Sequence, residues 1–315
     1  MTNIIKRQWF LICLVLLFVA VILDRSNLLA GLGTALKDNH GPEVMIFLIF
    51  VFSGLVIEGH QIRAGIRDVR ATILALVLIF VAAPLMALAL LVLPLETGVA
   101  LGLFIVAVMP TTLSSGIVMT GVAGGNMAHA LFVTIISNFV SILSIPFILS
   151  LLLPLLGQEK SLAIDQVAIC LKLILLVLLP LAIGMTLKAK IFAKRNMGRF
   201  QLVNQWMILG IVFISLGGAK EAILGHGISF WAIVLLVTVF HTMMLGASFV
   251  LVKLGKLEKG RYESVVFMGC QKTLALSVML QVTYFSQFGG ALLVCVIHHI
   301  VHLMIDGYLS TRLSR

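Results

Sequence analysis

Residues Glu263–Thr283 read ESVVFMGCQKTLALSVMLQVT. The run is long enough to cross ~30 Å of hydrocarbon. Yet Gly269-Cys270-Gln271-Lys272-Thr273 interrupts it near its middle. A lysine at that depth costs roughly 2.5–3.5 kcal/mol on insertion scales, and Gly-Cys-Gln is a poor centre for a continuous helix. A second interruption lies in the first half of the chain. Within Gly98–Gly121, the segment Met109-Pro110-Thr111-Thr112-Leu113-Ser114-Ser115-Gly116 breaks another apolar run. Two broken spans at corresponding positions of two halves point to a transporter's binding site.

The composition sets the class. Of 315 residues, 61% are hydrophobic and 11% charged, which places the chain among polytopic helical membrane proteins. The net charge of +10 does not indicate nucleic acid, because the basic residues sit in short loops between apolar runs. Cys13, Cys170, Cys270 and Cys295 are far apart and inside apolar runs, so they form no zinc spacing and no disulfide framework. No metal centre or cofactor is expected. G-x-S-x-G with a partner histidine, H-E-x-x-H and paired intramembrane aspartates are all absent, so no hydrolase is indicated.

Working outward, the apolar run from Trp9 to Leu23 follows Lys6 and Arg7 and reads as a first transmembrane helix, since no small-x-small cleavage site follows it. Further spans are predicted at roughly 43–58, 71–93, 98–122, 127–155, 166–187, 201–219, 229–252, 263–284 and 289–310. That makes about ten. Placing the N-terminus in the cytoplasm puts 16 basic residues in inside segments. Only Arg25, Lys37, Lys160 and Lys220 then fall outside. The asymmetry predicts a multi-pass protein of the cell (inner) membrane with both termini cytoplasmic. Two five-span halves, 1–157 and 158–315, enter the membrane in opposite senses, as an inverted repeat does. The breaks in the fourth and ninth spans can then cross at mid-membrane. Helix N-terminal ends there attract anions and C-terminal ends attract cations, so the crossing suits an anionic solute and a small cation together. The plainer reading is that Pro110 only kinks a helix and Gly269 only allows close packing.

The residues also carry a resemblance. MPTTLSSGIVMTGVAGGNMAHALFVT, Met109–Thr134, followed by GCQKTLALSV, Gly269–Val278, resembles the bile acid:sodium symporter superfamily. Within it, the chain is most similar to the sodium/bile acid cotransporter 7-like branch, over nearly its whole length. The resemblance implies ten helices in two inverted repeats. A panel of the first, second, sixth and seventh helices moves against a core of the other six, giving alternating access. It also implies sodium sites, which carry over only in part. Ser115 matches a family serine, but Gly116 replaces the asparagine after it. Thr134 matches a threonine, but Ala130 replaces a serine. Gln271 matches a glutamine, but Phe267 replaces the glutamate four residues earlier. Ile79, five residues before Pro84, replaces a third-helix glutamine.

With those ligands lost and Lys272 gained, the Lys272 ammonium is read as standing in for a bound sodium ion. It has three hydrogen bonds to give to hydroxyls and carbonyls. A buried lysine here could instead couple transport to protons or neutralise an anionic substrate. The alternative is that it snorkels to a wet vestibule.

The candidate substrate and ion site is Thr111, Thr112, Ser114, Ser115, Gly116, Thr134, Asn138, Gln271, Lys272 and Thr273, with Na+ or H+ as coupling ion. His298, His302 and Asp306 recur every four residues on one helix face, beside His299, and form a candidate proton relay. A hydrogen-bonded face between helices is the plainer reading, with Asp306 near the cytoplasmic end. His241 is read as a packing contact, and Glu58 and His60 as interface residues at the inner end of the second span. The function expected is secondary transport of a small organic, anionic solute. The alternative is a regulatory membrane protein of calcium homeostasis that acts through a partner. Lipid is the other partner expected, and the oligomeric state stays open.

Overall fold

The computed structural model describes residues 2–56, 66–157, 164–191, 197–225 and 230–314, and every regular element among them is helical. Glu58 and His60 lie outside the described residues. Thirteen helices are distinguished here. The first four are α1 (Thr2–Leu23), α2 (Leu28–Asp38), α3 (Gly41–Val56) and α4 (Val69–Val92, with a π turn over Leu78–Ala82). Next come α5 (Thr97–Val108), α6 (Ser115–Val122) and α7 (Met127–Leu152). Helix α8 runs from Gln166–Leu173 through a π turn to Leu179–Ile191, and α9 is Met197–Gly225. The last four are α10 (Phe230–Leu254), α11 (Tyr262–Cys270), α12 (Leu274–Tyr284) and α13 (Gly289–Leu313).

Six of the described helical stretches are long and apolar enough to cross a membrane, or seven if the pair Ile12–Leu23 and Leu28–Asp38, bent by 108°, counts as one span. The other expected spans are shorter or broken here, at Gly41–Leu55, Thr97–Val108 and Leu202–Gly217. The outward faces are apolar. Leu143, Phe147, Leu235 and Trp231 are all exposed, as lipid-facing side chains are and as those of a water-soluble protein are not. The stretch Tyr262–Tyr284 is the opposite case, since its apolar window is fully buried. It runs through the middle of the molecule, packed by α4, α7, α10 and α13.

Helix α2 falls between the first two predicted spans, where no helix is expected from apolar length. Asp24 organises the bend, its carboxylate accepting from the Ser26 and Leu29 amides at 3.1 and 2.8 Å. The Lys220 ammonium on α9 donates to the Asp24 carbonyl and, at 2.8 Å, to Asn27 Oδ1. Lys220 is therefore a buried staple, not a loop charge.

Close contact between α3 and the second half of α8 depends on missing side chains. A Cβ added to Gly184 would lie 2.9 Å from the Gly54 Cα and 3.0 Å from the Leu55 nitrogen. Small residues at crossings let membrane helices pack by backbone contact. Nearby, Lys172 of α8 pairs with Glu43 of α3 at 3.0 Å.

Capping fixes where the long helices begin. Asp68 accepts from the Ala71 amide at 3.2 Å, and Asn126 accepts from the His129 amide at 3.1 Å. Asp68 also receives two bonds from Arg261, at 2.7 and 2.8 Å, which tie the start of α4 to the start of α11. Those bonds hold the Asp68 carboxyl below the usual carboxylate range.

Substitutions test both kinds of contact. Asp68→Asn keeps the cap and loses the ion pair, whereas Asp68→Ala also loses the cap, worth about 1 kcal/mol. Thermal unfolding of purified protein should therefore rank wild type above Asn above Ala. Because the folded carboxyl titrates low, its contribution is present above the unfolded value of about 3.9 and fades as pH falls through the folded value. The acid-induced loss should be smaller in Asp68→Asn than in wild type. Gly184→Leu should force α3 and α8 apart and lower the melting temperature more than Gly246→Leu, because a Cβ at Gly246 meets nothing within 4 Å.

Candidate functional site

Pro110 ends α5. A residue before proline is pushed out of the helical region, and Met109 adopts φ −68°, ψ 147°. The chain resumes helix only at Ser115. No proline explains the second break, yet Gln271 and Thr273 are equally extended, at ψ 143° and 129°. The two breaks meet. The Thr273 amide donates to the Pro110 carbonyl at 3.0 Å. Each break thus supplies what the other exposes, as buried backbone in lipid requires.

Lys272 sits at this contact and is buried. Its ammonium donates to three backbone carbonyls, of Ile79 at 2.8 Å, Ala107 at 2.9 Å and Met109 at 2.9 Å. Each carbonyl is available for a local reason. Ala107 and Met109 lie at the C-terminal end of α5, where carbonyls lack helical partners and partial negative charge collects. Ile79 is in the π turn of α4. There the Ala83 amide bonds back to Leu78, and Pro84, next in line, has no N–H to offer. The snorkelling alternative does not describe this lysine, because its head group is enclosed by backbone.

Gln271 turns the other way. Its Oε1 accepts from the Thr112 and Ser115 hydroxyls, both at 2.8 Å, and the two hydroxyls are 3.0 Å apart. The Gly116 amide donates to Thr112 Oγ1 at 3.1 Å. A Cβ at Gly116 would lie 2.6 Å from Met268 Sδ and 3.3 Å from Gln271 Oε1, so a larger residue has no room in this arrangement. Thr134 donates to the Ala130 carbonyl at 3.0 Å and, more weakly, to the Thr112 carbonyl at 3.4 Å. Asn138 donates to the Thr134 carbonyl, leaving its Oδ1 buried without a partner, as is Thr111 Oγ1. Ser114 stands apart, because it is exposed and gives no capping bond.

Asp306, seven residues before the end of α13, is part of the buried interior. Its carboxylate is fully buried and accepts from Gln271 Nε2 at 2.9 Å and from His241 Nε2 at 2.9 Å. His241, expected to be a packing contact, is therefore an anchor. Its ring lies 5.9 Å from that of His298 and 5.8 Å from that of His302. Sequence reading placed 298, 302 and 306 on one face but had no signal for the partner 65 residues earlier. His129 joins Thr72 at 3.1 Å and Ser264 at 2.7 Å, bridging α4, α7 and α11. All four cysteines are free thiols.

Two helical breaks meeting around an enclosed cation, within apolar helices, define a membrane-transport type of protein. The chain belongs to the SBF-like CPA transporter family, whose profile matches residues 8–315. That is a family of transporters and not of enzymes. The chain is 29% identical over 282 residues to the probable chloroplastic sodium/metabolite cotransporter BASS4 of Arabidopsis thaliana, covering 83% of this chain and 63% of that one. It is 28% identical over 312 residues to an uncharacterised protein of Pseudomonas aeruginosa, covering 95% and 92%. With sodium/bile acid cotransporter 7 of Xenopus tropicalis it shares 27% over 222 residues, 66% of this chain and 61% of that one. The chain thus spans somewhat under two thirds of the length of the plant and frog relatives. These relatives place the chain in the bile acid:sodium symporter superfamily.

Lys272→Met keeps the length of the side chain and removes its donors. Three carbonyls then lose their partner, at about 1–3 kcal/mol each. The variant should melt far below wild type, whereas Ser114→Ala should be neutral in the same thermal assay.

Proposed function

We propose that this chain is a secondary active transporter that moves a small organic anion across the membrane by alternating access. The observation that carries this is the Lys272 ammonium, enclosed by three backbone carbonyls where two helical breaks meet. Three acceptors need three N–H donors, which an ammonium has and an amine lacks. Lys272 is therefore a resident cation at the position where the family resemblance puts a sodium ion. The Ile79 carbonyl supports this reading, because it serves Lys272 at the position of the missing third-helix glutamine. On this reading Lys272 takes the place of one of the sodium ions that the family resemblance implies.

The remaining polar groups of the crossing, Thr111, Thr112, Ser115, Thr134, Asn138, Gln271 and Thr273, face the solute and any further ion. Gln271 is 0% exposed, Lys272 2% and Thr112 5%, so this conformer is closed and loading needs movement. The movement proposed is that of the panel against the core, in ten spans made of two inverted repeats, 1–157 and 158–315. Basic loops support cytoplasmic termini in a cell (inner) membrane. A regulatory protein acting only through a partner has no use for such a set of buried polar groups, so transport is the better reading.

The test is uptake by proteoliposomes of a panel of labelled small carboxylates and sulfonates, with and without Na+, alongside thermal stabilisation of the purified protein by each anion. Saturable uptake of at least one anion is expected, with Gln271→Ala impairing it. If no anion is taken up or stabilises the protein, the transport reading fails and the regulatory one takes its place.

A further inference from the structure

Five ring nitrogens concentrated beside the crossing lack a hydrogen-bond partner. They are His241 Nδ1, His298 Nε2, His299 Nδ1 and both nitrogens of His302, all buried. Elsewhere the same protein satisfies a buried imidazole fully, with both nitrogens of His129 bonded. The His298 and His302 rings are 5.2 Å apart, and His299 and His302 4.6 Å apart. Together with His241 they make one connected patch against Asp306. A carboxylate only accepts, so His241 Nε2 carries its hydrogen toward Asp306 and Nδ1 presents a lone pair. The Asp306 carboxylate accepts from Gln271 and from His241, whose ring is charged only when both its nitrogens carry a hydrogen. A buried anion of this kind is one proton short of an ion pair.

We propose that the coupling ion is a proton, bound at His241 Nδ1, with Asp306 as the fixed counter-charge and His298 and His302 as its route to and from water. The step balances simply. A proton from water on the loading side adds to the Nδ1 lone pair, imidazole becomes imidazolium, and the same N–H bond breaks on release. No other bond changes. Its use in transport rests on the proposed function above. The binding itself does not.

The surrounding charges fit this assignment. Helix α10 packs against α4, α11 and α13. Helix α13 offers His298, His299, His302 and Asp306 at the patch, with Cys295, Tyr308 and Arg312 elsewhere along it. Helix α11 offers Glu263, which accepts from the Gly260 amide, Cys270 and, as its first residue, Tyr262. Helix α4 offers only Arg70, which donates to the Gly255 carbonyl at 3.2 Å, and its π turn and Ala83–Ala89 carry no titratable group. Against α13, helices α5 and α6 carry none, α12 carries Tyr284, and α9 carries Arg199, Lys220 and Glu221, of which Lys220 is already held by Asp24 and Asn27. Lys253 lies in the last turn of α10 itself. At the crossing itself stands Lys272. With His241 neutral, Lys272 and Asp306 cancel. One proton leaves a net positive charge, which an anionic solute neutralises, so proton and anion load together. The proton also weakens the hold of Asp306 on Gln271, and Gln271 orients the Thr112 and Ser115 hydroxyls. Among the described residues no group of three His, Cys, Asp or Glu side chains could hold a metal ion.

The experiment uses the full chain in proteoliposomes on a solid-supported membrane, with no solute and no sodium. The pH is jumped from about 8 to about 6. Wild type should give a transient charge displacement. His241→Gln and the isosteric Asp306→Asn should lose it, and His129→Gln should keep it. The proposal is overturned by a silent wild type, or by a transient that survives in either variant. It is also overturned if Lys272→Met loses the transient while His241→Gln retains it. Should the variants not fold, ring-15N histidine spectra of wild type decide. A doubly protonated imidazole protected from water exchange must appear on acidification, and its absence overturns the assignment. Repeating the jump with the anion panel separates the two readings. A solute-free transient with no anion-driven current keeps the proton site and fails the transporter, and an anion-driven current with no solute-free transient does the reverse.

Discussion

An ammonium group held by three carbonyls is the interaction on which this molecule turns. Taken singly, each partner is expensive. A lysine in the middle of an apolar helix costs a few kcal/mol, and each helix end buried in lipid leaves carbonyls without donors. Together they cancel, because the three N–H bonds of Lys272 meet the three free oxygens of Ile79, Ala107 and Met109. The helical breaks can persist in a nonpolar surrounding only because the lysine is there, and the lysine can be buried only because the helices are broken.

From that contact the rest of the polar interior spreads in order. Extending Gln271 sends its side chain away from Lys272, where the amide oxygen gathers two hydroxyls and the amide nitrogen meets Asp306. Asp306 in turn holds His241, which draws α10 and α13 together. One chain of bonds thus runs from the break in the first half of the sequence to the last helix. Outside this interior the molecule is held by means common to membrane helices. Gly54 and Gly184 allow backbone contact, and Lys220 staples the bend between α1 and α2.

Against the family pattern, the losses and gains compensate. The resemblance implies ion ligands where this chain has Phe267, Ile79 and Gly116, and a larger residue at Gly116 would crowd Met268 and Gln271 as they stand. The role proposed for Lys272 is to supply the charge of one such cation. A carboxylate reappears near Gln271, not at position 267 but from Asp306 on another helix. Reading ligands position by position along the motif finds the vacancies and misses the replacement, because the replacement is close only in space.

What the chain determines by itself is what acts between covalent neighbours. Apolar length gives the membrane helices. Pro110 takes Met109 out of the helix, Pro84 withholds the N–H that Ile79 needs, and Asp68 and Asn126 cap the starts of α4 and α7. Each is legible because the constraint lies within a few residues. The unwinding at Gln271–Thr273 has no such cause. Nothing in Gly-Cys-Gln-Lys-Thr forbids a helix, and the break exists because Pro110, Ile79 and Ala107 stand where its amide and ammonium can reach them. The same holds for His241 and Asp306, and for α2, whose bend depends on a lysine 193 residues further on. Hydrogen bonds and ion pairs act over about 3 Å of space, whatever the distance along the chain. Only the packed helices could decide which groups would meet.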